Sequence, residues 1–284
     1  MIARRLRTTD GVTLSLYRTR AYRDRRPAVL LVHGAFSNHR LWIDAGSQGG
    51  GLAHFLTEHG LDVWLGDLRH HGESDREPTA ARWSFEDWVL HDATAFVTRV
   101  RDETNDAPLV WLGHSAGGAI GLCWLARASA PESVNGIVTL GTPGPDQPGV
   151  VRRLLAAASI AVSRTLGRFP ARFLRMGSED EAAGILSDWM AWNVRGKWVG
   201  ADGFDYLAAL ARLETPFLSV AAEGDRLFAP PPACDQLVRL AGSPRKELLV
   251  CGGLSHRGLV RDPRAREQSW PRIAQWIDQT LAGQ

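Results

Sequence analysis

A serine framed by glycines, Gly113-His114-Ser115-Ala116-Gly117, joins an apolar run to a run of small residues. That junction limits what the chain can fold into more than any other feature. The preceding Pro108-Leu-Val-Trp-Leu112 has the length and unbroken apolarity of a strand covered on both faces. The following Gly118-Ala-Ile-Gly-Leu-Cys-Trp-Leu-Ala126 suits a helix lying close on a sheet. Strand, Gly-x-Ser-x-Gly and helix in that order make a tight, strained turn, the nucleophile elbow. The small neighbours let strand and helix approach, the hydroxyl of Ser115 stands above the strand's carboxyl end, and the Ala116 amide points into the same space. A bare Gly-x-Ser-x-Gly occurs in many proteins by chance, so the flanking pattern carries the inference.

The rest of the chain alternates in the same way. Residues 3–8 and 12–18 predict a hairpin around Asp10-Gly11. Buried strands are expected near 28–33, 61–66, 108–113, 134–140, 216–222 and 246–251, with helices near 50–59, 84–104, 116–129, 231–241 and 270–281. Such alternation predicts an α/β fold, a mostly parallel central sheet with helices on both faces. It fails between Gly141 and Thr215, where helical runs follow one another with no strand-like run. The expected organisation is a core of residues 1–141 and 213–284 with a helical cap inserted at 142–212.

A serine nucleophile needs a base and an orienting acid, which in this architecture follow in the order Ser, Asp or Glu, His. His256 is the single histidine beyond Ser115, and it follows the expected strand Lys246–Cys251. Asp225 follows the strand Pro216–Ala222. Both therefore lie past the carboxyl ends of strands, where open parallel sheets bind ligands. Asp225 has a rival reading as the cap of a helix starting near Pro230, and Asp146 is a competing acid. An oxyanion hole is expected from the Ala116 amide together with that of Ala35, which follows the strand end at His33-Gly34. Phe36 is the second choice as donor and a candidate to line the substrate site.

These pieces resemble the α/β-hydrolase superfamily over nearly the whole chain: His33-Gly34-Ala35, then Leu61-Asp-Val-Trp-Leu-Gly-Asp67-Leu-Arg69-His-His71-Gly72-Glu-Ser74, the Ser115 elbow, Gly224-Asp225 and His256. The run Asp62-Val-Trp-Leu-Gly-Asp67 is similar to the acid-lipase branch. His70 departs from the pattern, standing where many relatives carry glycine. The resemblance implies a serine hydrolase with the triad Ser115, Asp225 and His256, most simply a carboxylesterase or lipase acting on a small-molecule ester, with no metal or organic cofactor. Thioesterase, acyltransferase, peptidase and carbon–carbon hydrolase activities are alternatives on the same fold, and a non-catalytic ligand-binding protein is an alternative of another class.

Composition sets the remaining bounds. The 284 residues carry a net charge of +2 and are 44% hydrophobic, which offers no bulk electrostatic case for nucleic acid. No apolar run is long enough to span a membrane, and the amino terminus lacks the apolar core of a signal peptide. The cysteines Cys123, Cys234 and Cys251 cannot all pair; a reducing, cytoplasmic setting is the simplest account, although Cys234 and Cys251 are free to bridge. Oligomeric state is not readable. Within the expected cap, Val150–Met176 carries Arg152, Arg153, Arg164, Arg168, Arg172 and Arg175 without an acidic residue. Gly167 and Pro170 predict that Arg164, Arg168 and Arg172 are divided between two short helices. The segment reads either as a lid making weak contact with a lipid surface or an acidic substrate, or as an ordinary basic face pairing with Glu179, Asp180 and Glu181; the second reading is preferred. Among 11 tryptophans, Trp189 and Trp192 are three apart and are candidates to line an acyl pocket, as is Trp42 to reach the cleft.

Overall fold

Alternate residues of each central strand face opposite ways, and this divides the apolar side chains between two cores. The structure is a computed structural model. It describes residues 1–43, 50–76, 82–145 and 149–282, the Arg152 side chain aside. Its strands are β1 (Ile2–Arg7), β2 (Thr13–Arg18), β3 (Ala28–Val32), β4 (Asp62–Asp67), β5 (Leu109–His114), β6 (Gly136–Leu140), β7 (Arg168–Phe169), β8 (Glu181–Ala182), β9 (Phe217–Ala222) and β10 (Lys246–Cys251). In β5, Leu109 and Trp111 join one core while Val110 and Leu112 join the other; in β3, Leu30 and Val32 oppose Val29 and Leu31. Burial on both faces explains why these strands read as continuous apolar runs.

Eight strands form one sheet in the order β1-β2-β4-β3-β5-β6-β9-β10. The β1–β2 hairpin is antiparallel and β2 runs antiparallel to β4, whereas every pair from β4 through β10 is parallel. The chain steps from β3 to β4 on one side and then returns to place β5 on the other. The loops after β3 and β5 therefore leave the sheet in divergent directions and open a crevice between them. Those loops carry the His33-Gly34-Ala35 segment and Ser115.

The helices are α1 (Leu52–Glu58), α2 (Phe85–Asp87), α3 (Ala93–Thr104), α4 (Ala116–Arg127), α5 (Val150–Leu166), α6 (Ala183–Arg195), α7 (Tyr206–Leu210), α8 (Pro231–Leu240), α9 (Gly258–Arg261), α10 (Pro263–Gln268) and α11 (Trp270–Ala282). A π turn at Trp88–Asp92 joins α2 to α3, and Ser84 with Asp87 forms a capping box that starts the series. The interval 142–212 contributes no strand to the large sheet among the described residues, but it does contain the small antiparallel pair β7–β8, which the sequence pattern did not predict. The division of Arg164, Arg168 and Arg172 between two helices is likewise corrected. One helix, α5, ends at Gly167 in the left-handed region (φ 72), Arg168 enters β7, and Arg172 lies in the turn beyond Pro170. Glycine after the last helical residue supplies that left-handed turn without a side-chain penalty.

Cys123, Cys234 and Cys251 are all free and buried, so the bridge considered between Cys234 and Cys251 is not made. Among the described residues no helix is long and apolar enough to cross a membrane.

Candidate active site

Ser115 sits at φ 54, ψ −122 between β5 and α4, a conformation that a residue with a side chain adopts only when its surroundings impose it. Here the end of β6 imposes it. The Ser115 amide donates to the Leu140 carbonyl at 2.8 Å, and the Thr142 hydroxyl donates to the Ser115 carbonyl at 2.8 Å. Glycines make the approach possible. A Cβ on Gly117 would stand 2.2 Å from the Val32 carbonyl oxygen, and one on Gly34 would stand 2.8 Å from Ser115 Cβ and 3.3 Å from the Ala116 nitrogen. The loop after β3 thus passes, at Gly34, directly beside the serine and the Ala116 amide.

His33 fixes that loop. Its Nδ1–H donates to the Gly34 carbonyl at 2.8 Å while Nε2 accepts the Leu68 amide at 3.2 Å. This pattern requires a neutral ring, and burial, reinforced by neighbouring His71, lowers the His33 pKa to about 4. The adjacent Phe36 is also left-handed, at φ 63. Its amide faces Glu181 Oε2 at 3.4 Å and its carbonyl accepts the amides of Ser178 and Glu179. Phe36 N–H is therefore directed to Glu181. The Phe36 ring packs on Phe169 at 5.4 Å.

His256 and Asp225 are brought together as the chain order implies. The His256 Nδ1–H donates to Asp225 Oδ2 at 2.6 Å. The ring lies over Gly141, where a Cβ would stand 3.0 Å from Nδ1, and Gly141 follows the same Leu140 that holds the Ser115 amide. His114, directly before the serine, donates from Nε2 to the His256 carbonyl at 3.1 Å. Burial and the nearby His256 lower His114 to about 3, so it acts as a neutral strut. Asp225 also accepts the amides of Phe228 at 2.9 Å and Ala229 at 3.0 Å. The helix-capping reading is not met, because α8 has Pro230 at its N-cap with no side-chain hydrogen bond; Asp225 instead organises the turn before α8 and holds the imidazole. Burial alone would raise the Asp225 pKa, but the His256 contact and these amides hold it below the ordinary carboxylate range. The competing acid, Asp146, lies outside the described residues.

The tryptophans take a different position. Trp189 and Trp192 are only 6% and 7% exposed. Trp189 stacks on Phe85 at 4.8 Å, Trp192 meets it edge-on at 5.1 Å, and the pair continues to Trp198 and Tyr206, so they join α6 to α2 within the larger core. Trp42 is fully buried, edge-on to His114. Trp189→Ala is expected to destabilise the fold by about 3–5 kcal/mol, read as a lower denaturation midpoint in urea. A midpoint within about 1 kcal/mol of the parent, with altered acyl-chain preference, would return Trp189 to the substrate pocket.

Acids expected to pair with the basic run complete the surroundings instead. Glu179 accepts from Asn38 at 2.6 Å and Arg76 at 2.8 Å, and buried Glu181 lies 3.3 Å from His71 Nε2, in ion-pair contact though off hydrogen-bond alignment. Burial disfavours a charged His71, but Glu181 outweighs it and the His71 pKa is raised. Of the three acids expected to pair with the arginine-rich run, Asp180 is seen to do so among the described residues, 3.6 Å from Arg168. The other two fasten the 142–212 interval to the loops after β3 and β4.

A family model described as alpha/beta hydrolase fold matches residues 27–183, more than half of the chain. Triacylglycerol lipase 1 of Arabidopsis thaliana is 28% identical over 145 residues, 48% of this chain and 36% of that protein. Human lysosomal acid lipase/cholesteryl ester hydrolase is 26% identical over 151 residues, 49% and 37% of the two chains. The matched region thus spans little more than a third of the length of these relatives. A soluble variant of monoglyceride lipase from Saccharomyces cerevisiae, solved with a substrate analog, shares the fold at a TM-score of 0.74 and 17% identity, covering 99% of this chain and 95% of that one.

Proposed function

Because the chain belongs to the alpha/beta hydrolase fold family, whose lipase and esterase members it resembles, we propose that it is a serine hydrolase of carboxylic esters with a hydrophobic acyl or alcohol part. The observation that carries this reading is the 2.6 Å contact between His256 and Asp225 beside the strained Ser115. In the proposed reaction His256 Nε2 takes the Ser115 proton as the oxygen adds to the ester carbonyl. Asp225 holds Nδ1–H and steadies the imidazolium, while the Ala35 and Ala116 amides receive the oxyanion. Collapse of the adduct breaks the bond to the alcohol, which leaves with the proton from His256. Water, deprotonated by the same histidine, then hydrolyses the acyl-enzyme and restores the serine.

The interval 142–212 is proposed to act as the cap over this site, tied down by Glu179, Glu181 and the Trp189–Trp192 cluster. Along α5, Val150, Val151, Leu154, Leu155 and Leu166 are largely exposed, as is Phe173 beyond it. That row supports a cap that meets the water-insoluble part of an ester and contacts a lipid surface weakly.

A series of p-nitrophenyl esters from acetate to hexadecanoate tests the reading. Turnover is expected throughout the shorter members, with kcat/KM rising beyond acetate as apolar contact grows, about tenfold over two or three methylenes. Absence of turnover, together with absence of labelling by a fluorophosphonate, would overturn it.

A further inference from the structure

A cavity of about 420 Å³ lies beside the candidate active site, between the 3-10 helix His39–Trp42, the loop after β4, the turn after β7 and the start of α9. Its chemistry is unlike that of an acyl pocket. Arg40, Arg76, Arg172, Arg257 and Arg261 line it, from four separate segments of the chain. Two carboxylates, Glu73 and Glu179, face them, and the side chains of Arg40, Arg172 and Arg257 have no ion-pair partner among the described residues. Glu179 is already committed to Arg76 and Asn38, and Glu73 is exposed.

Arg257 decides what the cavity is for. It follows His256 directly, so the loop that positions the base also forms part of the cavity wall. Its side chain is half-buried, and among the described residues it makes no hydrogen bond or ion pair. Burial, and then the neighbouring charge of Arg261, lower the Arg257 pKa. A half-buried guanidinium beside a like charge, with no acceptor among the described residues, is an unfavourable arrangement. An oxyanion entering the cavity removes the penalty, since guanidinium groups bind carboxylate, phosphate and sulfate through paired, charge-assisted hydrogen bonds.

We propose that this cavity is a subsite for an oxyanionic group, a carboxylate or a phosphate, carried by the ester substrate. The proposal rests on the serine esterase reading above and narrows the substrate to an ester that is apolar at one end and anionic at the other. The cap contributes Arg172, so docking of the anion would also draw the turn after β7 toward the His256 loop.

The test has a binding arm that needs no turnover. Inorganic phosphate and glutarate are titrated calorimetrically into Ser115→Ala protein at low ionic strength. Saturable binding to one site is expected, weakening as salt is raised. Affinity should fall about tenfold in Arg257→Gln and in Arg172→Gln, the latter an exposed position where folding is not at risk. Arg239→Gln, an equal loss of charge on the far surface of α8, should leave the affinity unaltered. Glutarate binding without phosphate binding selects a carboxylate, and the reverse selects a phosphate; both support the subsite. The kinetic arm compares matched esters on each side of the scissile bond: mono-p-nitrophenyl glutarate against p-nitrophenyl pentanoate, and 2-carboxyethyl butyrate against propyl butyrate, or the corresponding phosphate monoester where phosphate is the ligand that binds. One anionic member should be preferred, and Arg257→Gln should reduce the anionic-to-neutral ratio of kcat/KM about tenfold. Absence of anion binding, or affinities and ratios equal in Arg257→Gln and Arg239→Gln, would overturn the subsite. Binding in a protein that hydrolyses no ester would leave the anion site standing and remove the esterase reading instead.

Discussion

Ser115→Ala is expected to abolish ester turnover, lowering kcat by about 10⁶ as in serine-hydrolase triad knockouts, without loss of fold. The serine contributes one hydroxyl to the reaction, whereas its backbone is held by the Leu140 and Thr142 hydrogen bonds, which alanine retains. Alanine also retains the strain at φ 54, so the denaturation midpoint should match the parent. Ser115→Gly separates the two roles. Glycine adopts φ 54, ψ −122 freely, as at the first central position of a type II′ turn. That variant should be equally inactive yet more stable by about 1 kcal/mol. Both follow from one circumstance: the elbow spends stability to lift a hydroxyl out of the strand. Fluorophosphonate labelling that survives in Ser115→Ala would place the nucleophile elsewhere.

Much of this arrangement is legible in the sequence because short-range physics writes it there. Strands buried on both faces are apolar at most positions, so β3, β4, β5, β6 and β9 announce themselves within a residue or two. Ser115 is marked by glycines that no other local structure requires, and His256 by its solitary place after the serine. What escapes the sequence depends on distant partners. The spacing of Trp189 and Trp192 shows that they share a face, but not that Phe85 from α2 covers it. Glu179 and Glu181 stand near a basic run in the chain, yet β7–β8 pairing turns them toward Arg76 and His71. Arg257 looks like any charged residue in a loop until the structure places it, half-buried, against Arg261. His70 is an instructive intermediate case. The sequence marks it as a departure from glycine, and the structure holds it at φ 72, in the left-handed region where glycine would be unstrained. Its ring meets Trp83 edge-on at 6.0 Å, so packing offsets a backbone cost of about 1 kcal/mol.

Asp225→Asn is expected to lower turnover by about 10⁴ through the tautomer of His256. In the native site, four donors converge on the Asp225 carboxylate: His256 Nδ1–H and the amides of Leu227, Phe228 and Ala229. Asparagine offers one acceptor oxygen and a donating NH₂ group. If the oxygen stays with the amides of Leu227 and Phe228, the NH₂ faces both His256 Nδ1 and the Ala229 amide. The imidazole must then present a lone pair at Nδ1 and carry its proton on Nε2, where it can no longer accept one from Ser115. The opposed Ala229 and asparagine donors add a stability cost of about 1–3 kcal/mol. The pH response gives a second signature. Because Asp225 is held below its ordinary pKa, its contribution to stability is present above roughly pH 4, its unfolded value, and is lost as pH falls through the lower folded value. The acid limb of the parent's stability profile should therefore flatten in Asp225→Asn. Asp146→Asn should alter neither rate nor acid limb appreciably, and the reverse ranking of the two variants would move the acid to the loop after β6.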